Sequence, residues 1–240
     1  MRERMTLLAA RMELARARGY RSGINILATV GHHEENLDHS LSAAEFTPMT
    51  GPNGEICRGS FCPNSPELRE YIMNVYLAAA DAKPDYLWID DDVRLMGHMP
   101  ILECCFCDRC VELFSKRCGR PFSRDTLREA LGGGALEERL ALRRAFLQHN
   151  RDTIGDLFTF IEAIVHGKAL GLPLGFMTGD RFYEGYGFDE WAKALAGSKN
   201  APVYWRPGGG AYQEQRLDDF TDKAHAMGRQ IAPLPATITC

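Results

Sequence analysis

Apolar runs and amphipathic stretches alternate along this chain, and their spacing predicts its elements. Residues 3–18 place Leu7, Leu8, Met12 and Ala15 on one side of a helix, and Gly19 stands where a C-cap glycine belongs. Ile24–Val30 (INILATV) reads as a buried strand. Residues 31–64 are rich in Gly, Pro, His, Asn and Ser and read as one long loop, of the length that compact domains reserve for function. Ser65-Pro66-Glu67 opens a helix, with a serine cap and proline at the first helical position, and that helix runs to about Ala82. Lys83-Pro84 breaks it, and Tyr86–Ile89 is a second strand, ending in Asp90-Asp91-Asp92.

Further on, helices are predicted from about Asp108 to Arg117, after Ser123, and over Leu136–Leu170, the last with one possible break after the hinge at residues 132–134. Leu172–Met177 is a third strand and Pro202–Trp205 a fourth. They deliver Thr178-Gly179-Asp180-Arg181 and Arg206-Pro207-Gly208-Gly209-Gly210. Phe188–Leu195 and Leu217–Met227 read as helices, and Gln230–Leu234 begins a fifth strand. Strand and helix in alternation build a parallel sheet covered by helices, whose doubly buried strands read as continuous apolar runs. No glycine-rich fingerprint opens a helix straight after a strand, which excludes a dinucleotide fold and favours a barrel. Five strands are too few to close one. The expectation is therefore an α/β chain of (β/α)8 TIM-barrel type covering about strands 3–7, one domain over residues 1–240, with strands one, two and eight outside it.

Composition changes this picture little. The chain has 240 residues, 45% hydrophobic and 25% charged, ordinary for a globular protein. Its 28 basic and 32 acidic residues sum to −4 without a long run of either sign, so no nucleic-acid partner is expected. No apolar stretch approaches the roughly 20 residues a bilayer requires, so no membrane is expected either. The N-terminal stretch has arginines at helical spacing and no apolar h-region, so the expected location is cytoplasmic.

The candidate chemistry lies near the strand ends, where (β/α) proteins carry their sites. Four of the eight cysteines crowd into Glu103–Cys110 (ECCFCDRC). In a reducing compartment such a cluster reads as a metal site, and Cys105, Cys107 and Cys110 at C-x-C-x-x-C spacing suit a structural zinc. The fourth ligand is open among Cys57, Cys62 and Cys104. Alternation along a strand puts Asp90 and Asp92 on one face and Asp91 on the other. Trp88, Tyr183, Tyr186, Trp205 and Tyr212, beside Asp180, Arg181 and Arg206, suit a sugar ring. His32 and His33 are candidate substrate ligands, and Glu184 is a further carboxylate. His39, His98, His149, His166 and His225 are read as background.

Phe61-Cys62-Pro63-Asn64-Ser65-Pro66-Glu67-Leu68-Arg69-Glu70 resembles the segment YCPxSPxxRE of glycoside hydrolase family 42 β-galactosidases. In that family a strand ending Asp-Asn-Glu and then C-x-C-x-x-C-x-x-x-F follow. Here Asp90-Asp91-Asp92 precedes Cys105-Phe106-Cys107-Asp108-Arg109-Cys110-Val111-Glu112-Leu113-Phe114, so the resemblance covers about residues 61–118. It implies a barrel of the GH-A clan, a zinc-binding loop insertion around 57–118 with ligands Cys62, Cys105, Cys107 and Cys110, and a carbohydrate substrate such as a β-galactoside. It also implies a homo-oligomer, often a trimer. The general acid/base of a retaining mechanism maps to Asp92, and the sugar-contacting residue before it to Asp91. His32, Asp180, Arg181, Trp205 and Arg206 would line the sugar. Two residues depart from the pattern: Asp92 stands for Glu and Asp91 for Asn. The clan's nucleophile, a Glu ending the seventh strand, has no counterpart after Glu214, so this chain is expected to lack it and to have little activity. Two rival readings are a metal-dependent hydrolase using His32, His33 and Asp90–Asp92, and a non-catalytic carbohydrate-binding barrel.

Overall fold

A computed structural model describes residues 2–38, 42, 45–178, 185–207, 221, 225, 228 and 238–239. Helix α1 (Arg2–Arg16) leads into β1 (Gly23–Ile26). Strands β2 (Pro48–Thr50) and β3 (Ile56–Phe61) precede α2 (Pro66–Asp81) and β4 (Tyr86–Ile89). Strands β5 (Met96–His98) and β6 (Ile101–Glu103) come before α3 (Asp108–Cys118), α4 (Arg124–Gly132) and α5 (Leu136–Lys168). The remaining elements are β7 (Leu174–Thr178), α6 (Phe188–Ala196), β8 (Val203–Pro207) and β9 (Ile238–Thr239).

The main sheet has five strands in the order β1-β4-β7-β8-β9, all parallel. Each strand joins beside the one before it, so the sheet is wound in one direction, as a barrel wall is and a doubly wound sheet is not. The pleat divides the side chains between two faces. Ile24, Ile26, Leu87, Ile89, Leu174, Phe176, Val203 and Trp205 point to the helices and are buried with Leu68, Ile72, Leu157, Phe158, Ile161 and Trp191. The other face carries Asn25, Tyr86, Trp88, Tyr204 and Arg206. Two glycines let its rings lie flat across the neighbouring strand. A Cβ at Gly23 would fall 2.0 Å from Tyr86, and one at Gly175 would fall 2.4 Å from Trp88.

The helices follow their local signals. Ser65 caps α2, its Oγ accepting from Leu68 N at 3.5 Å, with Pro66 at the first position. Ser123 and Thr126 form a reciprocal capping box on α4. The predicted break in the long helix does not occur: α5 runs unbroken for 33 residues. Gly155, within α5, faces Trp191: a Cβ there would lie 3.8 Å from its ring.

Three expectations change. The strand predicted over Ile24–Val30 ends at Ile26, because the next residues turn their backbone N–H groups toward Asp92. The long loop of residues 31–64 holds a 3-10 turn, His33–Asn36, and an antiparallel hairpin, β2–β3. A second hairpin, β5–β6, fills the stretch after the aspartates. The Gln230–Leu234 strand lies outside the described residues, as does the Leu217–Met227 helix apart from Thr221 and His225; the fifth strand of the sheet is β9.

Candidate functional site

Strands β1 and β4 are neighbours, so the loops leaving their C-terminal ends meet. Asp92 turns inward and is 1% exposed. Its Oδ2 accepts three backbone N–H groups, from Thr29 at 3.1 Å, Val30 at 2.7 Å and Gly31 at 2.6 Å. Its Oδ1 is buried with no hydrogen-bond partner. Burial pushes the carboxyl up to about 7, and the donors from Val30 and Gly31 only partly oppose that.

Asp90 and Asp91 stay at the surface with His32, their ligand atoms within 4.8 Å of one another. The alternation predicted for the three acids therefore fails, because the pleat stops at Ile89 and a turn begins. His32 Nε2 lies 3.5 Å from Asp91 Oδ1. The carboxylate raises the imidazole to about 9, and the imidazolium in turn holds Asp91 below the usual carboxylate range. Asn25 Nδ2 donates to Asp90 Oδ2. His32 adopts a left-handed backbone, φ 56°, a conformation that costs a non-glycine residue on the order of 1 kcal/mol or more. His33 does not join it. That ring is buried against Phe61, Phe46 and Tyr71, with centroids at 4.9, 6.3 and 5.9 Å.

A cavity of about 460 Å³ opens beside this cluster. His32 and Asp92 border it from the strand ends. Arg58, Ser60, Arg94 and His98 border it from β3, the turn after β4, and β5. His98 Nε2 lies 2.9 Å from the Arg94 carbonyl, which can only accept, so the ring proton is on Nε2 and Nδ1 accepts from Ser60 Oγ at 2.9 Å. Burial lowers His98 to about 4, so it is neutral at physiological pH. Sequence reasoning missed Arg58, Ser60, Arg94 and left His98 as background; only the hairpin pairings bring them to the strand ends.

The thiols of Cys62, Cys105, Cys107 and Cys110 are all buried, with sulfurs within 4.8 Å of one another. Cys62 follows β3, Cys105 and Cys107 lie before α3, and Cys110 sits in its first turn. Cys62 Sγ is 3.3 Å from Cys110 Sγ and 3.6 Å from Cys107 Sγ. Cys57 and Cys104 turn elsewhere, their thiols reaching Met99 O at 3.6 Å and Leu95 O at 2.7 Å. A tetrahedral zinc with 2.3 Å bonds holds its sulfurs about 3.8 Å apart, so the four thiols fit that ion. The Asn64 amide donates to Cys110 Sγ at 3.3 Å, as an outer-shell group should. Hydrogen bonds from the other three thiols hold Cys107 well below the usual thiol range, and its place at the α3 N-terminus favours the same charge.

The expected sugar-lining residues divide. Trp205 is 1% exposed and packs on Phe188 at 5.8 Å, on the helix side of β8. That corrects its expected place at the sugar: the pleat turns it away from the open face. Arg206, one residue on, is on that face, with Nη1 at 3.2 Å from Met177 Sδ. Trp88 is there too, 6.2 Å from both Tyr86 and Tyr204, and Arg21 lies 5.8 Å from both tyrosine rings. Tyr186 is buried and stacks on Phe188. Asp180, Arg181, Tyr183, Glu184, Gly208–Gly210, Tyr212 and His39 lie outside the described residues.

No protein-family model matches the sequence, and no curated protein matches it. Solved structures do. A polyextremophilic β-galactosidase from the Antarctic haloarchaeon Halorubrum lacusprofundi superimposes with a TM-score of 0.54 at 17% identity, covering 84% of this chain and 32% of its own. The β-galactosidase of Bacillus circulans sp. alkalophilus gives 0.52 at 15%, over 85% and 32%. The catalytic domain of a Paenibacillus polymyxa β-amylase gives 0.54 at 10%, over 91% and 70%. The fold is glycoside hydrolase-like. Within that likeness the chain spans about a third of the length of the two β-galactosidases, and among the described residues the sheet has five strands and no complete barrel. The β1 and β4 loops, with Asp90–Asp92, lie at the C-terminal end of the parallel sheet. Among the described residues, no helix is long and apolar enough to cross a membrane.

Proposed function

We propose that this chain carries the acid/base side of a β-glycoside-cleaving site, with Asp92 as the proton donor. The observation that supports it most is a buried carboxyl at the end of β4, with one unpartnered oxygen, in the wall of a cavity large enough for a sugar ring. A carboxyl pushed up to about 7 keeps a proton near neutral pH, as a general acid must. It would give that proton to the glycosidic oxygen as the bond to the anomeric carbon breaks. Asp91, Asp90 and His32 would hold hydroxyls of the sugar. A retaining mechanism also needs a second carboxylate about 5–5.5 Å away, and this reading assigns none among the described residues.

Cys62, Cys105, Cys107 and Cys110 would hold a structural zinc. The ion would tie the end of β3 to the start of α3 and so brace the cavity wall; with four protein ligands it keeps no open position for chemistry.

A second reading, carbohydrate binding without turnover, rests on the same carboxyl. Its Oδ2 is saturated by three N–H donors, as a structural acid's would be. The metal-dependent hydrolase is less well supported, since His33 faces an aromatic box instead of the aspartates. The test is hydrolysis of 4-nitrophenyl β-D-galactoside by the wild type and by Asp92→Asn, alongside galactose titration. Turnover abolished by Asp92→Asn supports the first reading. Saturable binding with no turnover supports the second. Turnover unchanged in Asp92→Asn overturns the proposed role of Asp92.

A further inference from the structure

We infer that His98 is a positioning residue for Asp92: acting through Gly31, its ring holds a backbone N–H on Oδ2 and so leaves the proton of the carboxyl on Oδ1. The inference rests on the reading of Asp92 as proton donor and names the group that tunes it.

A protonated carboxyl has one oxygen that only accepts and one that carries the hydrogen. Oδ2 of Asp92 accepts from Thr29, Val30 and Gly31, which leaves Oδ1, the oxygen without a partner, for the hydrogen. Gly31 is the nearest of the three donors, at 2.6 Å. Strand β1 has ended at Ile26, so the ladder no longer holds these N–H groups. Strand β3 holds them instead. Phe61 N donates to the Val30 carbonyl at 2.8 Å, and Ser60 Oγ bonds Nδ1 of His98 at 2.9 Å.

The His98 ring lies directly on Gly31. A Cβ built on that glycine would fall 2.8 Å from Cε1 of His98 and 3.2 Å from Cβ of Asp92, so the backbone is gripped between imidazole and aspartate. The ring is fixed at both nitrogens, with Nε2 on the Arg94 carbonyl at 2.9 Å. Arg94 N in turn donates to the Asp92 carbonyl at 2.9 Å. Contacts thus run from Asp92 through Arg94, His98 and Gly31 back to the Asp92 carboxyl.

A donor on Oδ2 favours the carboxylate over the neutral acid. Releasing Gly31 should therefore raise the pH at which Asp92 gives up its proton. Other ionisable groups near the carboxyl are His32, Asp90 and Asp91 at the strand ends and Tyr76 of α2, whose hydroxyl bonds Thr29. Glu34, Arg58 and Arg94 border the same cavity. Changing His98 alters none of them, and its ring is neutral over the range of the test, so no charge is lost.

The test is carbon-13 NMR titration of the full chain labelled at aspartate carboxyls, from pH 5.5 to 9, with Asp92 assigned from Asp92→Asn. The wild-type midpoint should lie at about 7. His98→Ala should raise it by about one pH unit, the worth of one donor to a charged group. His98→Gln, whose amide can still bond Ser60 and the Arg94 carbonyl, should raise it less. A side chain that only braced the fold would lower stability and leave the midpoint in place. Ser60→Ala, which frees Nδ1 and keeps the ring, should move the midpoint the same way, and it decides the matter if circular dichroism shows His98→Ala unfolded. A midpoint unmoved or lowered in the folded variant overturns this inference and leaves Asp92 as proton donor. A wild-type carboxyl that titrates near 4 overturns both.

Discussion

Replacing Asp92 by asparagine should change how stability depends on pH, with a sign opposite to that of most acidic residues. The Asp92 carboxyl rises from its ordinary 3.8 to about 7 in the folded chain because burial strips water from its charged form. The native state therefore binds a proton that the unfolded state has released, so stability is highest below about pH 4 and is lost as pH rises through 7. The difference between the two values is worth about 4 kcal/mol. Asparagine keeps an oxygen for the N–H groups of Thr29, Val30 and Gly31 but has no charge to desolvate. Its amide nitrogen takes the position of Oδ1, which lacks a partner in either protein. Wild type and Asp92→Asn should thus be nearly equally stable at pH 4, and the variant should be more stable by about 3–4 kcal/mol at pH 8. Urea denaturation at half-unit steps from pH 4 to 8.5 measures this, and groups common to both proteins cancel in the difference. Parallel profiles over the whole range would refute the reasoning. So would a variant less stable than the wild type at pH 8, because the three N–H contacts would then outweigh burial.

Other consequences can be checked separately. Metal analysis should find one zinc per chain, reduced to well under half by Cys110→Ser after dialysis against a mild chelator and unchanged by Cys104→Ser, whose thiol faces Leu95 O. Gly175→Ala should destabilise by about 1–3 kcal/mol and alter tryptophan emission, since the new methyl would meet the Trp88 ring. By contrast, Gly155→Ala in α5, where the nearest neighbour is Trp191 at 3.8 Å, should stabilise by up to about 1 kcal/mol. The His98 ring proton resonances should not titrate between pH 8 and 5. Its folded value lies near 4, so the stability it supports is kept above 6.5 and lost as pH falls toward 4.

Much of the framework is legible in local sequence. Buried strands such as Tyr86–Ile89 and Leu174–Thr178 read as apolar runs, and Ser65-Pro66 and Ser123 mark helix starts, because pleat, turn and cap are short-range geometry. The same locality makes Cys105, Cys107 and Cys110 recognisable as a group. What the sequence left open involves partners far apart in the chain. Spacing alone does not choose between Cys62 and Cys57, and only the resemblance of residues 61–70 points to Cys62; the β2–β3 pairing and the turn after it bring that thiol to the cluster and send Cys57 toward Met99. The three aspartates are alike in sequence, but only Asp92 meets the N–H groups that leave β1 some 60 residues earlier, and that contact buries it. Trp205 and Trp88 both end or approach a strand end, and the pleat of the assembled sheet sends one into the core and the other to the open face. Periodicity along the chain determines which elements form; charge burial, ligand sets and cavity walls are decided by which elements the fold places side by side.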